Sequence, residues 1–252
     1  MSTEGPGDPA FLDRVQPVFE RIARVHDYRC VGLEHLPDGP AMLVGYHGRP
    51  ALDAFLLGFL LRKHTGAAPR AVTHRVLTRI PRVRRWVQGF GMVVGSRDEL
   101  AAAAARGERL LVLPGGAREC FRSSRVRYQL DWGERRGYAR LALRLGLPIV
   151  PFATAGVDEL YHVIGDGYRI SKALTGTEAL PLCLPLGHRR LPFGPPRPVP
   201  LHQHVGAAVE PYGQAEDPDA VAALDARVRA RVQALLSEAL ARPLCSNQGW
   251  TL

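Results

Sequence analysis

Residues 41–61 read AMLVGYHGRPALDAFLLGFLL. Ala41 to Tyr46 is a continuous apolar run behind the Pro37-Asp38-Gly39-Pro40 turn, which predicts a short buried strand. Pro50 suits the first turn of a helix, where its missing N–H is no loss, and the apolar residues after it predict a helix to about Leu61. The joint between the two holds His47, Gly48 and Asp53. A strand passing this abruptly into a helix is the front half of a β-α-β unit.

The alternation extends in both directions. Upstream, residues 9–27 place Phe11, Leu12, Val15, Val18, Phe19, Ile22 and Val25 at helical spacing, with Asp8 before Pro9 as the start signal. This predicts an amphipathic helix packed on the core, and Arg14, Arg21 and Arg24 beside the apolar face also suit a helix lying in a lipid interface. Residues 1–8 are polar and are expected to be a flexible N-terminus. Residues 28–31 read as a strand. Downstream come an Arg-rich segment, a short strand near Met92 to Val94, an alanine-rich helix closed by Gly107, and a buried strand running into Pro114-Gly115-Gly116. Residues 133–155 predict a helix ended by Gly146 and a strand behind Pro148. Residues 180–200, rich in Pro and Leu, predict a long ordered loop. Residues 201–211 predict one more strand and 217–242 a C-terminal helix. The expected fold class is α/β, a mostly parallel sheet flanked by helices, as one domain over 9–252 with ligands at the carboxyl ends of the strands.

Of 252 residues, 46% are hydrophobic and 23% charged, enough apolar material for a core, which excludes disorder and fibrous repeats. The net charge is +9, and Lys63 and Lys172 are the only lysines among 33 basic residues. The arginine excess fits a GC-rich coding sequence or a basic surface for phosphate-bearing ligands, anionic headgroups or nucleic acid. With 7% aromatic residues and no recognition module, no nucleic acid partner is expected. Four scattered cysteines without a C-x-x-C pair, and no signal-peptide pattern, predict the reducing cytoplasm. The longest apolar stretch, 51–61, contains Asp53 and falls short of the about 20 residues that span a bilayer.

Three predicted strands are followed by unusual loops: YHGRPALD at 46–53, GMVVGSR at 91–97 and LPGGARE at 113–119. A parallel sheet brings such loops to one edge. His47 falls just past a strand and Asp53 in the first turn of the next helix, so the carboxylate is expected to hold one imidazole nitrogen while the other accepts a proton. That is the arrangement of a general base acting on a hydroxyl. The plain readings are a satisfied polar group for His47 and a partner of the helix dipole for Asp53. Gly48 permits close backbone approach. Arg97 and Arg118 suit phosphate or ester oxygens and Gly115-Gly116 uncover backbone donors, although a strand-end charge and a simple turn explain them as well.

The order and spacing of these pieces resemble the glycerolipid acyltransferase superfamily, whose members move fatty acyl groups from a thioester carrier to lipid hydroxyls. The likeness covers about residues 30–240. Five residues separate His47 from Asp53, the H-x5-D form of the monoacylglycerol- and diacylglycerol-acyltransferase-like branch, where phosphatidate-making members carry H-x4-D. Gly91 and Arg97 resemble the second motif. Pro114 to Glu119 resembles the branch's P-G-G-x-x-E in place of P-E-G-T-R, and residues 132–139 and 146–151 follow, with Pro151 at the fourth motif. The resemblance implies that His47, oriented by Asp53, takes a proton from an acceptor hydroxyl that attacks the thioester of acyl-CoA, and that Gly48, Arg97, Pro114, Gly115, Gly116, Arg118 and Glu119 bind substrate. It implies no cofactor beyond acyl-CoA as co-substrate and no metal. The partners implied are acyl-CoA, a lipid alcohol acceptor and, peripherally, the inner face of a membrane. On this reading Arg75, Arg79, Arg82, Arg84 and Arg85 face coenzyme A or anionic lipid, and on the plain one they face solvent.

Other chemistries fit less well. A serine hydrolase needs a G-x-S-x-G elbow that the chain lacks, and the glycines of residues 89–95 precede a strand where a dinucleotide fingerprint follows one. His202 and His204, with no Cys or carboxylate nearby in sequence, are expected to be exposed strand positions, not metal ligands. Residues 180–186 and 191–193 suit an acyl tunnel, a bilayer contact or a plain surface loop, and Phe55, Leu56, Phe59 and Leu60 suit the wall of an acyl pocket but are expected in the core. The alternative function is a catalytically inactive peripheral lipid-binding protein on the same scaffold.

Overall fold

The computed structural model describes residues 7–49, 51–73, 81–94, 96–120, 122–165, 184–192, 194–245 and 248–252. Its centre is a six-stranded sheet with the order β1 (Arg29–Val31), β8 (His202–Val205), β5 (Ile149–Ala155), β2 (Met42–Gly45), β4 (Leu110–Val112), β3 (Arg70–Ala71). Strands β5, β2, β4 and β3 run parallel; β8 is antiparallel to β5 and parallel to β1. β2 pairs on both sides, Met42 lying opposite Leu110 and Ile149, and all four of its residues are buried. A strand with two covered faces reads as an unbroken apolar run, which is what residues 41–46 show. Pro151 is tolerated inside β5 because β8 has already ended beside it: the β5–β8 pairing begins at Phe152 opposite Val205.

Seven α-helices lie around the sheet among the described residues: α1 (Pro9–Val25), α2 (Leu52–Thr65), α3 (Pro81–Gly89), α4 (Arg97–Ala105), α5 (Gly116–Cys120), α6 (Gly137–Leu145) and α7 (Pro218–Ala241). α2 is buried along most of its length through Leu52, Leu56, Leu57, Phe59, Leu60 and Leu61, and its basic residues collect in the last turn, where they suit the helix dipole. α1 is capped by Asp8, which accepts from Ala10 N at 3.0 Å, and buries Leu12, Val15, Phe19 and Ala23. Phe19 stacks on Phe59 and Phe55 at 4.5 and 5.7 Å, fixing α1 to α2. α7 opens at an Asp217 cap and buries Val221, Leu224, Val228, Val232 and Leu236, the stripe that packs on β5. No described helix is long and apolar enough to cross a membrane.

Several expectations are corrected. At the edge of the expected flexible N-terminus, Asp8 N–H donates to Gly89 O at 2.9 Å, where the start of α1 docks on the end of α3; residues 1–6 lie outside the described residues. The strand near Met92 to Val94 reduces to an isolated bridge between Val93 and Val72. α2 runs on to Thr65, ended by the left-handed Gly66. The Pro- and Leu-rich region contains β7 (Leu184–Leu186), which forms a separate ribbon with β6 (His162–Ile164). His202 and His204 are buried, because the start of the C-terminal tail and α7 cover β8: His202 Nδ1 accepts from Leu244 N at 3.0 Å. Pro50, Arg75, Arg79, Gly95, Phe193 and residues 180–183 lie outside the described residues.

Phe19→Ala is expected to destabilise the fold by about 3–5 kcal/mol, through lost burial and a cavity between α1 and α2. The shift in urea midpoint at constant m-value measures it.

Candidate active site

Because β2, β4 and β5 are parallel, the segments leaving them at 46–51, 113–116 and 156–161 emerge at one edge of the sheet. The first makes a tight turn, Ala51 N donating to Gly48 O at 2.8 Å, and Ala51 takes the left-handed conformation (φ 68°) to start α2. Gly48 is glycine for packing, since a Cβ there would lie 2.5 Å from Val157 Cβ on the third segment.

His47 is half-buried, and three contacts hold it. Its N–H donates to Glu119 Oε2 at 2.8 Å, its carbonyl accepts from Arg122 Nη2 at 3.1 Å, and its ring Nδ1 donates to Gly48 O at 2.9 Å. A carbonyl can only accept, so Nδ1 carries the proton and Nε2 has a free lone pair. Loss of solvation on burial pushes the imidazole down to about 4.

The expected bond from the Asp53 carboxylate to the imidazole is absent. Gly48 O takes the proton assigned to Asp53, and Asp53, fully buried in the first turn of α2, has neither oxygen in a hydrogen bond of full geometry. Desolvation raises it to about 7, moderated by the Thr154 hydroxyl and the first backbone amides of α2. Thr154 is held in turn by Gln203 Nε2 at 2.8 Å, and Gln203 by the Tyr28 hydroxyl at 2.5 Å.

The remaining motif residues divide. Pro114 and Gly115 are buried, with their carbonyls accepting from Arg135 Nη1, and Gly116 N donates to Leu113 O, so that amide is committed to the turn. Arg118 is half-exposed and pairs with Asp131 at 3.4 Å. Arg97 is exposed at the first residue of α4, and no ion pair holds it among the described residues. Glu119 is fully buried, with both oxygens occupied by protein donors.

Sequence reasoning overlooked two arginines. Arg49 donates to the carbonyls of Asp158, Tyr161 and Arg122 and to Ser124 Oγ, and Arg122 donates to the carbonyls of His47 and Gln129 and lies 4.2 Å over the Tyr46 ring. Tyr46 completes the cluster by donating to Asp158 Oδ2 at 2.6 Å. Arg49 lies inside the H-x5-D stretch and Arg122 three residues past Glu119. Their position was the available signal, but nothing in residue type separates a buried strut from a surface cation.

The Acyltransferase family model matches residues 27–155, the stretch that carries these loops. The chain belongs to the acyltransferase family. Proteins of Gallus gallus and Homo sapiens named DGAT1/2-independent enzyme synthesizing storage lipids are 29% and 30% identical to this acyltransferase-family chain, each over 84% of its length. The chain spans 60% and 62% of theirs. Phytyl ester synthase 1, chloroplastic, of Arabidopsis thaliana is 31% identical over 54% of the chain and 20% of its own length. The crystal structure of the 1-acyl-sn-glycerophosphate (LPA) acyltransferase PlsC from Thermotoga maritima superposes with a TM-score of 0.61, covering 93% of this chain and 81% of that one at 17% identity. The two share a fold.

Asp53 carries a stability prediction. Its folded-state value of about 7 lies above the ordinary 3.8, so the folded form holds its proton more tightly than the unfolded chain. Its contribution is fully present below about pH 4 and is lost as pH rises through about 7. Asp53→Asn is therefore expected to stabilise the fold at pH 8, on the order of 1–3 kcal/mol, and to change it little at pH 4. Denaturant melts at the two pH values measure the difference.

Proposed function

We propose that this chain transfers an acyl group from an acyl thioester, acyl-CoA or another acyl carrier, to the hydroxyl of a lipid or other apolar alcohol. One observation carries the reading. At the carboxyl edge of β2, His47 is held on both sides of its peptide and at Nδ1, leaving Nε2 to take a proton. The names of the relatives, one for storage lipids and one for phytyl esters, support an apolar acceptor.

In the proposed reaction, His47 Nε2 accepts the acceptor's hydroxyl proton as its oxygen attacks the thioester carbonyl. The C–S bond breaks and the thiolate leaves with the proton returned by the imidazolium. Gly48 O fixes the tautomer and Asp53 supplies charge. An imidazole held near 4 is a weak base, and in this reading an ionised Asp53 at the start of α2 favours the imidazolium that forms as the proton moves. Arg97 and Arg118, both reachable by solvent, are assigned to anionic groups of the donor or acceptor. Among the described residues no group of His, Cys, Asp and Glu is arranged to hold a metal ion.

Peripheral membrane contact belongs to the same reading. α1 and α3 meet through Phe11 and Trp86 at 5.5 Å, and together they expose Val18, Val25 and Trp86 with Arg14, Arg21, Arg24, Arg82, Arg84 and Arg85. Apolar tips among cations suit an anionic lipid surface in the cytoplasm.

His47→Ala is expected to lower turnover about 10²–10⁴-fold with the fold intact, measured with labelled acyl-CoA against a panel of lipid and non-lipid alcohols. Unchanged transfer removes His47 from the mechanism. Retention of lipid without transfer by either form selects the inactive lipid-binding alternative. The kcat/KM of the wild type is expected to rise as pH passes about 7, where Asp53 ionises, and Asp53→Asn to lose that limb. Trp86→Ala is expected to weaken co-sedimentation with phosphatidylglycerol vesicles several-fold while leaving transfer to a dispersed acceptor unchanged.

A further inference from the structure

We infer that Glu119 is a positioning residue that sets His47 from the neighbouring loop, and that residue 115 is glycine because the Glu119 carboxylate fills the space a side chain there would take. The inference rests on the reading of His47 as the base. It departs from the substrate-binding role that the sequence resemblance implied for both residues.

The carboxylate is fully occupied within the protein. Oε2 accepts from His47 N at 2.8 Å and from Trp132 Nε1 at 3.3 Å, and Oε1 accepts from Asp131 N at 3.0 Å. With no exposed surface it has no route to a substrate, and a carboxylate aimed at a phosphate-bearing donor would repel it. What it reaches is the backbone of the proposed base. β2 ends at Gly45, so the sheet does not place His47; two side chains do, Glu119 on its N–H and Arg122 on its carbonyl. Burial raises the Glu119 carboxyl to about 7, a rise that the Arg122 guanidinium and the three donors hold down.

Gly115 makes this possible. The Glu119 side chain folds back over it, and a Cβ built at 115 would lie 2.2 Å from Glu119 Oε2, 2.3 Å from Cδ and 2.5 Å from Cβ, all under the 3.0 Å that real Cβ atoms essentially never breach. A flexible chain end could swing aside, but this one is pinned by its donors, so any side chain at 115 displaces the carboxylate from His47 N. Residues 115 and 119 therefore form a single device whose product is the position of one imidazole. A shift of about 1 Å at a reacting group is enough to cost on the order of 10²-fold in rate.

The test is a double-mutant cycle read in two ways: the NMR shift and hydrogen exchange of the His47 backbone amide in the substrate-free protein, and transfer kinetics. Glu119→Gln keeps the size of the side chain and Gly115→Ala keeps the carboxylate. Each is expected to shift the His47 amide, speed its exchange and lower kcat about 10–100-fold, with KM for donor and acceptor within about twofold. In a Glu119→Ala background, which removes the carboxylate bonded to His47 N, Gly115→Ala is expected to add less than about threefold, because the bond it would break is already gone. A raised donor KM with an unchanged His47 amide assigns Glu119 to substrate and overturns the inference. Additive effects of the two positions overturn the link between them. Loss of dispersed signals throughout the spectrum in both single variants makes the carboxylate a folding element and also overturns it. Because the amide readout needs no substrate, a chain with the expected amide changes but no acyl transfer refutes the proposed reaction and leaves the positioning intact.

Discussion

The site depends on β2 being hydrogen-bonded to parallel neighbours on both sides. With Met42 opposite both Leu110 and Ile149, the three strands end close to one level, and the loops that leave them meet. A one-residue slip would turn every side chain of β2 to the other face and carry His47 away from Glu119. The register is held by burial, since Met42, Leu43 and Val44 have no exposed surface and α2 behind them is apolar around most of its circumference. The hydrophobic core and the geometry of the proposed base are thus the same constraint at two distances.

Where the loops meet, polar groups are buried in unusual density. Arg49, Arg122, Asp158, Glu119 and Asp53 are all nearly or fully buried, and several of their atoms, including both Asp53 oxygens, Asp158 Oδ1 and the Nε of each arginine, lack a hydrogen-bond partner. Desolvation of this kind works against stability, which is partly recovered by the carbonyls that the two guanidinium groups collect from four segments of loop. The left-handed Ala51 adds backbone strain at the same joint. Sites that hold a base in one position commonly trade stability in this way.

The fold was legible because its signals are local. Alternating apolar runs, Asp-Pro helix starts at 8 and 217, and the left-handed Gly146 at a helix end each act within a turn or two of chain. The errors fall where distant parts decide. His202 and His204 read as exposed, since nothing nearby in sequence reveals that α7 and the C-terminal tail close over β8. The region after residue 180 read as loop because β7 exists only through its pairing with β6, and pairing has no local signature.

The sequence by itself determined which chemistry is available: a histidine at the end of a buried strand, an aspartate at the start of the next helix, and a Gly-Gly turn with a glutamate three residues on. Only the tertiary structure decided which carboxylate holds the histidine. Spacing along the chain favoured Asp53, six residues away, but the tight turn between them lets Gly48 O take the imidazole proton, and Asp53 is left buried without a full hydrogen bond. Glu119, 72 residues away in sequence, is the one that reaches His47. A carboxylate bonds to what lies within about 3 Å of it. In a parallel sheet that distance is set by strand order, which the linear chain does not display.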